Sequence, residues 1–149
     1  MESVTIGPMS SIFSKIIDGE LPSRMLWEDK ECVAILDIRP LASGHVLVIP
    51  RVETDQWTDL SPDTAAHLMK VAHSIGRAQM RVFAPERIGL VIAGFEVPHA
   101  HLHVVPVNAM SDLDFALVNP NPDQGELDEQ LEALRSALED AGYSSVSRR

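Results

Sequence analysis

Two periods of apolar side chains alternate along this chain, and together they predict most of its elements. Cys32-Val33-Ala34-Ile35-Leu36 and His45-Val46-Leu47-Val48-Ile49 are short runs rich in β-branched residues and bounded by turn residues, which read as buried strands. Arg24 to Glu28 reads as the strand before them, joined through Asp29-Lys30 in a hairpin that lacks the usual glycine. Arg87 to Ala93 and His101 to Val107 supply strands four and five. Between strands three and four the period changes. After Ser61-Pro62-Asp63, a capping hydroxyl, a proline at the first helical position and an acid facing the dipole, Ala65, Leu68, Met69, Ala72, Ile75 and Gln79 recur at helical steps as far as Phe83 to Pro85. Leu127, Leu131, Leu134 and Leu138 mark another helix over about 126–140, which Gly142 can end. A short helix through Ile12, Phe13, Ile16 and Ile17, capped by Ser10 or Ser11, stops at Gly19. Residues 1–9 carry no periodicity and are expected to form a flexible arm, and Ser144 to Arg149 is expected to fray. This order predicts an α+β domain in which helices cover one face of an antiparallel sheet.

With 149 residues and 45% hydrophobic content, the chain fits one domain, taken as residues 10–110, followed by an extension over 111–149. The formal charge of -10 argues against a nucleic-acid polymer as partner, because phosphate neutralisation needs clustered Lys and Arg. The acidity is uneven: the extension holds nine acidic and three basic residues, so the body is closer to balance and a small anionic substrate stays open to it. Cys32 is the only cysteine, which excludes an internal disulfide and places a thiol in an apolar run. No run approaches the ~18 apolar residues of a membrane span, and Met1 to Ser10 lacks the basic and apolar regions of a signal peptide. The expectation is a cytoplasmic protein with no membrane partner.

The chemistry gathers in His99-Ala100-His101-Leu102-His103, where three imidazoles repeat at period two. In an extended strand all three rings project from one face, with neighbours roughly 6.6 to 7 Å apart at Cα. Imidazole near neutral pH serves as nucleophile, general acid or base, or metal ligand. A zinc site needs convergence on one ion, whereas the outer rings of a flat strand lie roughly 13 Å apart at Cα, so other ligands would have to be recruited. A solvent-facing edge strand leaves three histidines in a row unexplained. His67 and His73, on the long predicted helix, are expected at a surface or interface.

His99-Ala100-His101-Leu102-His103-Val104-Val105 resembles the signature of the histidine triad (HIT) superfamily, His-φ-His-φ-His-φ-φ with φ apolar. The similarity extends in order and spacing through residues 12–22, Trp27-Glu28-Asp29, residues 34–40 and residues 44–50, roughly 11 to 106 in all. The resemblance implies a HIT-like five-stranded antiparallel sheet with a short N-terminal helix and one long helix, here with an added C-terminal helix. It implies a Hint-like nucleotide hydrolase or transferase working through a covalent nucleotidyl-histidine, of the nucleoside phosphoramidase or dinucleotide hydrolase type, and a homodimer. On that pattern His101 is the nucleophile, His103 contacts phosphate or the leaving atom, and His99 and His45 orient the row. Asp37 is the ribose-binding acid, and Leu36, Ile38, Ile12, Phe13 and Ile16, with Phe95 and Val97, line the nucleotide site. The implied substrate is a purine nucleotide, an AMP derivative, with no cofactor.

Two departures from the family pattern bear on function. Many relatives hold a structural zinc through positions that here are Ser11, Ser14, Glu53 and His99, and hydroxyls are poor zinc ligands, so no metal is expected. The segment before the triad, Ala93-Gly94-Phe95-Glu96-Val97-Pro98, follows a shortened loop; Phe95 replaces a polar residue, Glu96 adds negative charge, and Pro98 removes a backbone donor. These changes disfavour long polyphosphates, and they leave a catalytically altered nucleotide-binding module as the alternative reading.

Overall fold

A computed structural model describes residues 10–149; the arm expected over 1–9 lies outside the described residues. The elements run α1 (Ile12–Ile17), β1 (Met25–Glu28), β2 (Cys32–Leu36), β3 (Val46–Pro50), α2 (Pro62–Phe83), β4 (Arg87–Val91), β5 (Leu102–Val107) and α3 (Gln124–Asp140). Short 3₁₀ turns at Trp57–Asp59, Met110–Leu113 and Phe115–Leu117 had no periodic signal. The five strands form one antiparallel sheet in the order β1-β2-β3-β5-β4.

Local chemistry accounts for the element ends. Ser11 Oγ accepts from Ser14 N–H at the start of α1, Ser61 Oγ from Thr64 N–H at α2, and Asp123 from Glu126 N–H at α3, each satisfying a donor the helix leaves free. Asp29 replaces the missing hairpin glycine: its Oδ1 accepts from the N–H groups of Glu31 and Cys32, holding the turn by side chain. Its Oδ2 accepts from Trp27 Nε1–H and lies 2.7 Å from His67 Nε2, so His67 ties α2 to the hairpin instead of standing free on a surface.

The two sheet faces carry different loads. Leu26, Cys32, Ala34, Leu36, Val46, Val48, Leu102 and Val104 pack under α2 and α3 in the larger core. On the other face Val33, Ile35, Leu47 and Ile49 pack with Phe13 and Ile16 of α1. Because side chains alternate along a strand, His103 falls on this second face, across from Leu47 in register, and His45, just before β3, accepts at its carbonyl from Asp37 N–H.

α2 and α3 also grip the chain that leads into β3. Gln79, fully buried, donates both Nε2 hydrogens, to the carbonyls of Gly44 and Val104 at 2.8 and 2.9 Å. Gly44 N–H donates to Gln130 Oε1 of α3. Gly44 has φ +80, and a Cβ there would overlap the Phe83 ring, 2.6 Å from Cζ. Gly44→Ala therefore combines left-handed strain with overpacking and is expected to cost about 2–4 kcal/mol, read as the shift in urea midpoint at constant slope. A loss below about 0.5 kcal/mol would contradict this packing.

The C-terminal residues do not fray. Ser147 N–H donates to the Leu26 carbonyl and Glu28 N–H to that of Ser145, extending the sheet beside β1, while Arg148 pairs with Glu132 and Glu139 of α3. The sequence signal there was polar and aperiodic, because backbone pairing to β1 leaves no trace in side-chain pattern.

Candidate functional site

Only His103 of the three histidines lies within a paired strand; β5 begins at Leu102, and His99 and His101 sit in the extended lead-in to it. Ala100 N–H donates to the Thr54 carbonyl, which holds that lead-in against the chain after β3. The rings stand close together: His101 and His103 centroids are 4.8 Å apart, and His45 and His103 are 5.2 Å apart. All four histidines are buried.

Backbone partners fix each ring's tautomer, since an N–H only donates and a carbonyl only accepts. Leu41 N–H donates to His45 Nδ1 at 3.0 Å, so the proton of neutral His45 is on Nε2. His45 Nε2–H then donates to His103 Nδ1 at 3.0 Å, which leaves the proton of His103 on its own Nε2. His101 runs the other way: Nδ1–H donates to the His99 carbonyl at 2.7 Å, so in the neutral ring Nε2 carries the free lone pair. His99 donates Nε2–H to the Pro50 carbonyl at 2.7 Å and accepts from Ser11 Oγ–H at Nδ1. The result is a donor Nε2–H on His103 beside an acceptor Nε2 on His101.

Burial keeps the supporting rings uncharged. It pushes His45 down to about 3, with repulsion from His103 and His101 adding to the effect. His103 falls to about 4 for the same reason, with His101 contributing. His99 is also lowered by burial, opposed by its bond to Pro50 and by the charge of Glu53. Asp37, between β2 and β3, is raised by burial against the bond that its Oδ1 accepts from Arg39 N–H; its Oδ2 lies 3.5 Å from His45 Nε2.

Ser11, Ser14, Glu53 and His99, the positions that the family resemblance marks for a metal, come together here as a hydrogen-bonded knot. Glu53 Oε1 accepts from Ser11 N–H at 2.9 Å and from Ser14 Oγ–H at 2.6 Å, and Ser11 Oγ–H reaches His99 Nδ1 at 2.6 Å. Two hydroxyls and a committed imidazole do not fit zinc. The knot joins α1, the chain after β3 and the triad lead-in through these hydrogen bonds.

The apolar residues expected around a nucleotide divide between the faces. Phe13 and Ile16 are on the histidine side, with Phe13 edge-on to His101 at 4.9 Å and to His99 at 5.8 Å. Val97 packs against the same group, and Ile12 and Ile38 are exposed. Leu36 is not with them: alternation along β2 sends its side chain into the core beneath α2 and α3, so Ile35 is the β2 residue on the histidine side. Phe95 is 95% exposed. Glu96 Oε1 stands 3.6 Å from His101 Nε2. One residue without any sequence signal joins the site: Phe115, in the extension, lies edge-on to His103 at 4.7 Å and to His45 at 6.4 Å.

A family model for the HIT domain matches residues 18–110. The chain belongs to the HIT family. Over 103 residues this HIT chain is 38% identical to an uncharacterised HIT-like protein of Mycobacterium tuberculosis, taking in 66% of this chain and 72% of that one. It is 33% identical over 103 residues to the adenosine 5′-monophosphoramidase of Schizosaccharomyces pombe, across 66% of this chain and 74% of the relative. A crystal structure of a zinc-bound HIT family protein from Mycobacterium smegmatis superposes with a TM-score of 0.76 at 35% identity, covering 91% of this chain and 97% of that one. The expected α+β HIT fold is borne out by the five-stranded sheet and this superposition. No helix among the described residues is long and apolar enough to cross a membrane.

Proposed function

We propose that this HIT protein is a nucleotide hydrolase that cleaves a nucleoside 5′-phosphoramidate or related AMP derivative through a nucleotidyl-His101 intermediate. The observation that carries the reading is the opposed hydrogen bonding of the two rings, which in their neutral forms leaves a lone pair on His101 Nε2 next to a protonated Nε2 on His103. A neutral nucleophile approaches an anionic phosphate without losing a proton first, and a neutral donor beside it stabilises charge on a phosphoryl oxygen as it develops. The phosphoramidase relative in S. pombe supports the substrate class.

The steps balance without a redox partner. The His101 Nε2 lone pair attacks the α-phosphorus, the P–N bond breaks, and its electron pair stays on the amine, which takes a proton from water. The hydroxide left by that water attacks phosphorus, the P–Nε2 bond breaks, and the lone pair returns to His101. His103 Nε2–H donates to phosphoryl oxygen throughout, while Asp37 accepts from the ribose hydroxyls and the exposed Ile12 and Ile38 face the base. A homodimer is part of the same proposal, supported by the open outer edge of β4 and the exposed Leu90, Met69 and Met80 near it.

Intact mass spectrometry after brief mixing with adenosine 5′-phosphoramidate tests the reading. The expected result is an adduct of the mass of an adenylyl group together with release of AMP. Tight AMP binding by calorimetry with neither adduct nor turnover would instead establish the binding-only module, which the apolar Phe95 and the acidic Glu96 favour.

A further inference from the structure

Glu96 is the group beside the reactive nitrogen that the proposed chemistry leaves without a task. Its Oε1 stands 3.6 Å from His101 Nε2, and its carboxylate, His101 and His103 each offer an atom within 4.8 Å of the others. The Glu96 side chain is 57% exposed, whereas that of His101 is 2% exposed, so the carboxylate is on the solvent side of the His101 ring. Phosphorus attacked by Nε2 must come within bonding reach of that nitrogen, which brings its oxygens and leaving atom within a few ångströms of Glu96. Asp37 also feels the negative charge of Glu96, and the cation that acts on Asp37 from its own loop, Arg39, is exposed. The donor offered by His103 is neutral.

A carboxylate so placed discriminates by charge. At separations of about 4–6 Å near a protein surface, a unit charge on the leaving group changes its interaction with Glu96 enough to alter rates by tenfold or more. A sulfate, carboxylate or further phosphate is repelled, and an ammonium is held. Resting on the nucleotidyl-histidine reading above, we infer that Glu96 selects the leaving group, and that the preferred substrates are nucleoside 5′-phosphoramidates of amines that carry a second, protonated nitrogen. The ammonium pairs with Glu96 as the scissile nitrogen takes up its electron pair, so attraction is retained up to bond cleavage. Phe95, next in the chain and almost fully exposed, adds an aromatic face of the kind that suits a cation.

The test uses three adenosine 5′-phosphoramidates of similar length, made from ethylenediamine, propylamine and glycine, with a chelator present so that no metal ion supplies the positive charge. In the unaltered protein kcat/KM is expected to fall in that order, with the cationic amide about a hundredfold above the anionic one. In Glu96→Gln that ratio is expected to shrink by about tenfold or more. Because the ratio is taken within one preparation, partial misfolding of the variant cancels. Equal turnover of the three amides, or a ratio unchanged in Glu96→Gln, overturns the inference and leaves the hydrolase reading standing. Failure of all three to turn over overturns the hydrolase reading itself.

Discussion

Replacing His101 with alanine is expected to lower turnover of adenosine 5′-phosphoramidate by about 10⁴-fold or more and to abolish the adenylyl adduct. The size follows from the site's construction. His101 is the triad residue whose neutral ring keeps its lone pair on Nε2, because its Nδ1–H is committed to the His99 carbonyl. His99 cannot substitute: its Nε2 is bonded to the Pro50 carbonyl and its Nδ1 to Ser11. His103 cannot either, with its lone pair occupied by His45. His103→Ala removes a donor and not the attacking atom, so its expected loss is smaller, about 10²–10³-fold, and its adduct still forms slowly. Single-turnover kinetics with intact mass spectrometry separates the two variants. Retention of the adduct in His101→Ala would remove His101 from the role of nucleophile.

Acidification is expected to destabilise the fold by about 3 kcal/mol between pH 6.5 and pH 4 through His103. The reference value of 6.5 falls to about 4 for this ring in the fold, so in that interval the unfolded chain binds a proton that the folded chain refuses. Its stability contribution is complete above pH 6.5 and is lost as pH drops toward 4. His45, lowered to about 3, carries the loss further down, and His99, also lowered by burial, acts in the same sense, but His45 and His103 share one hydrogen bond and their shares do not add. Lowered carboxylates such as Glu53 act below their ordinary value of 4.5, and Asp37, whose value is raised, acts with the opposite sign, so neither produces a loss centred between pH 4 and 6.5. Urea unfolding at pH 7, 5.5 and 4 in the unaltered protein and in His103→Asn checks this. The unaltered protein is expected to lose stability steadily across the series, and the variant to show a shallower slope. A flat profile in the unaltered protein would mean that the rings are not held neutral by burial.

Local signals accounted for the elements that depend on local chemistry. Ser61-Pro62-Asp63 starts α2 because cap, proline and acid all act within one turn, and the leucine spacing of 127–138 marks the side of α3 that is buried. The strands over residues 25–50 were legible because their apolar runs end at turn residues. Boundaries failed where pairing across the sheet decides them: β4 stops at Val91 and β5 starts at Leu102, leaving two triad histidines outside the ladder. Leu36 was assigned to the nucleotide side because an unbroken apolar run does not reveal which alternate residues face which layer. His67 and the last residues of the chain found partners far away in sequence, Asp29 and β1, which periodicity cannot register.

The same division runs through the site. Residue types at a fixed spacing, three imidazoles with an acid at 37 and a histidine at 45, carry the family and the kind of chemistry, because the family pattern is written in side-chain identity and order along the chain. Which nitrogen of each ring holds the proton depends on the Leu41 N–H and on the carbonyls of Pro50 and His99, groups that every residue possesses and that become specific only by position. Phe115 against His103 and Glu96 beside His101 are likewise products of chain packing. The chain order therefore determines what the histidines are able to do, and the tertiary structure decides which of them attacks, which donates, and what charge stands over the departing group, since burial and hydrogen-bond direction are properties of the assembled fold.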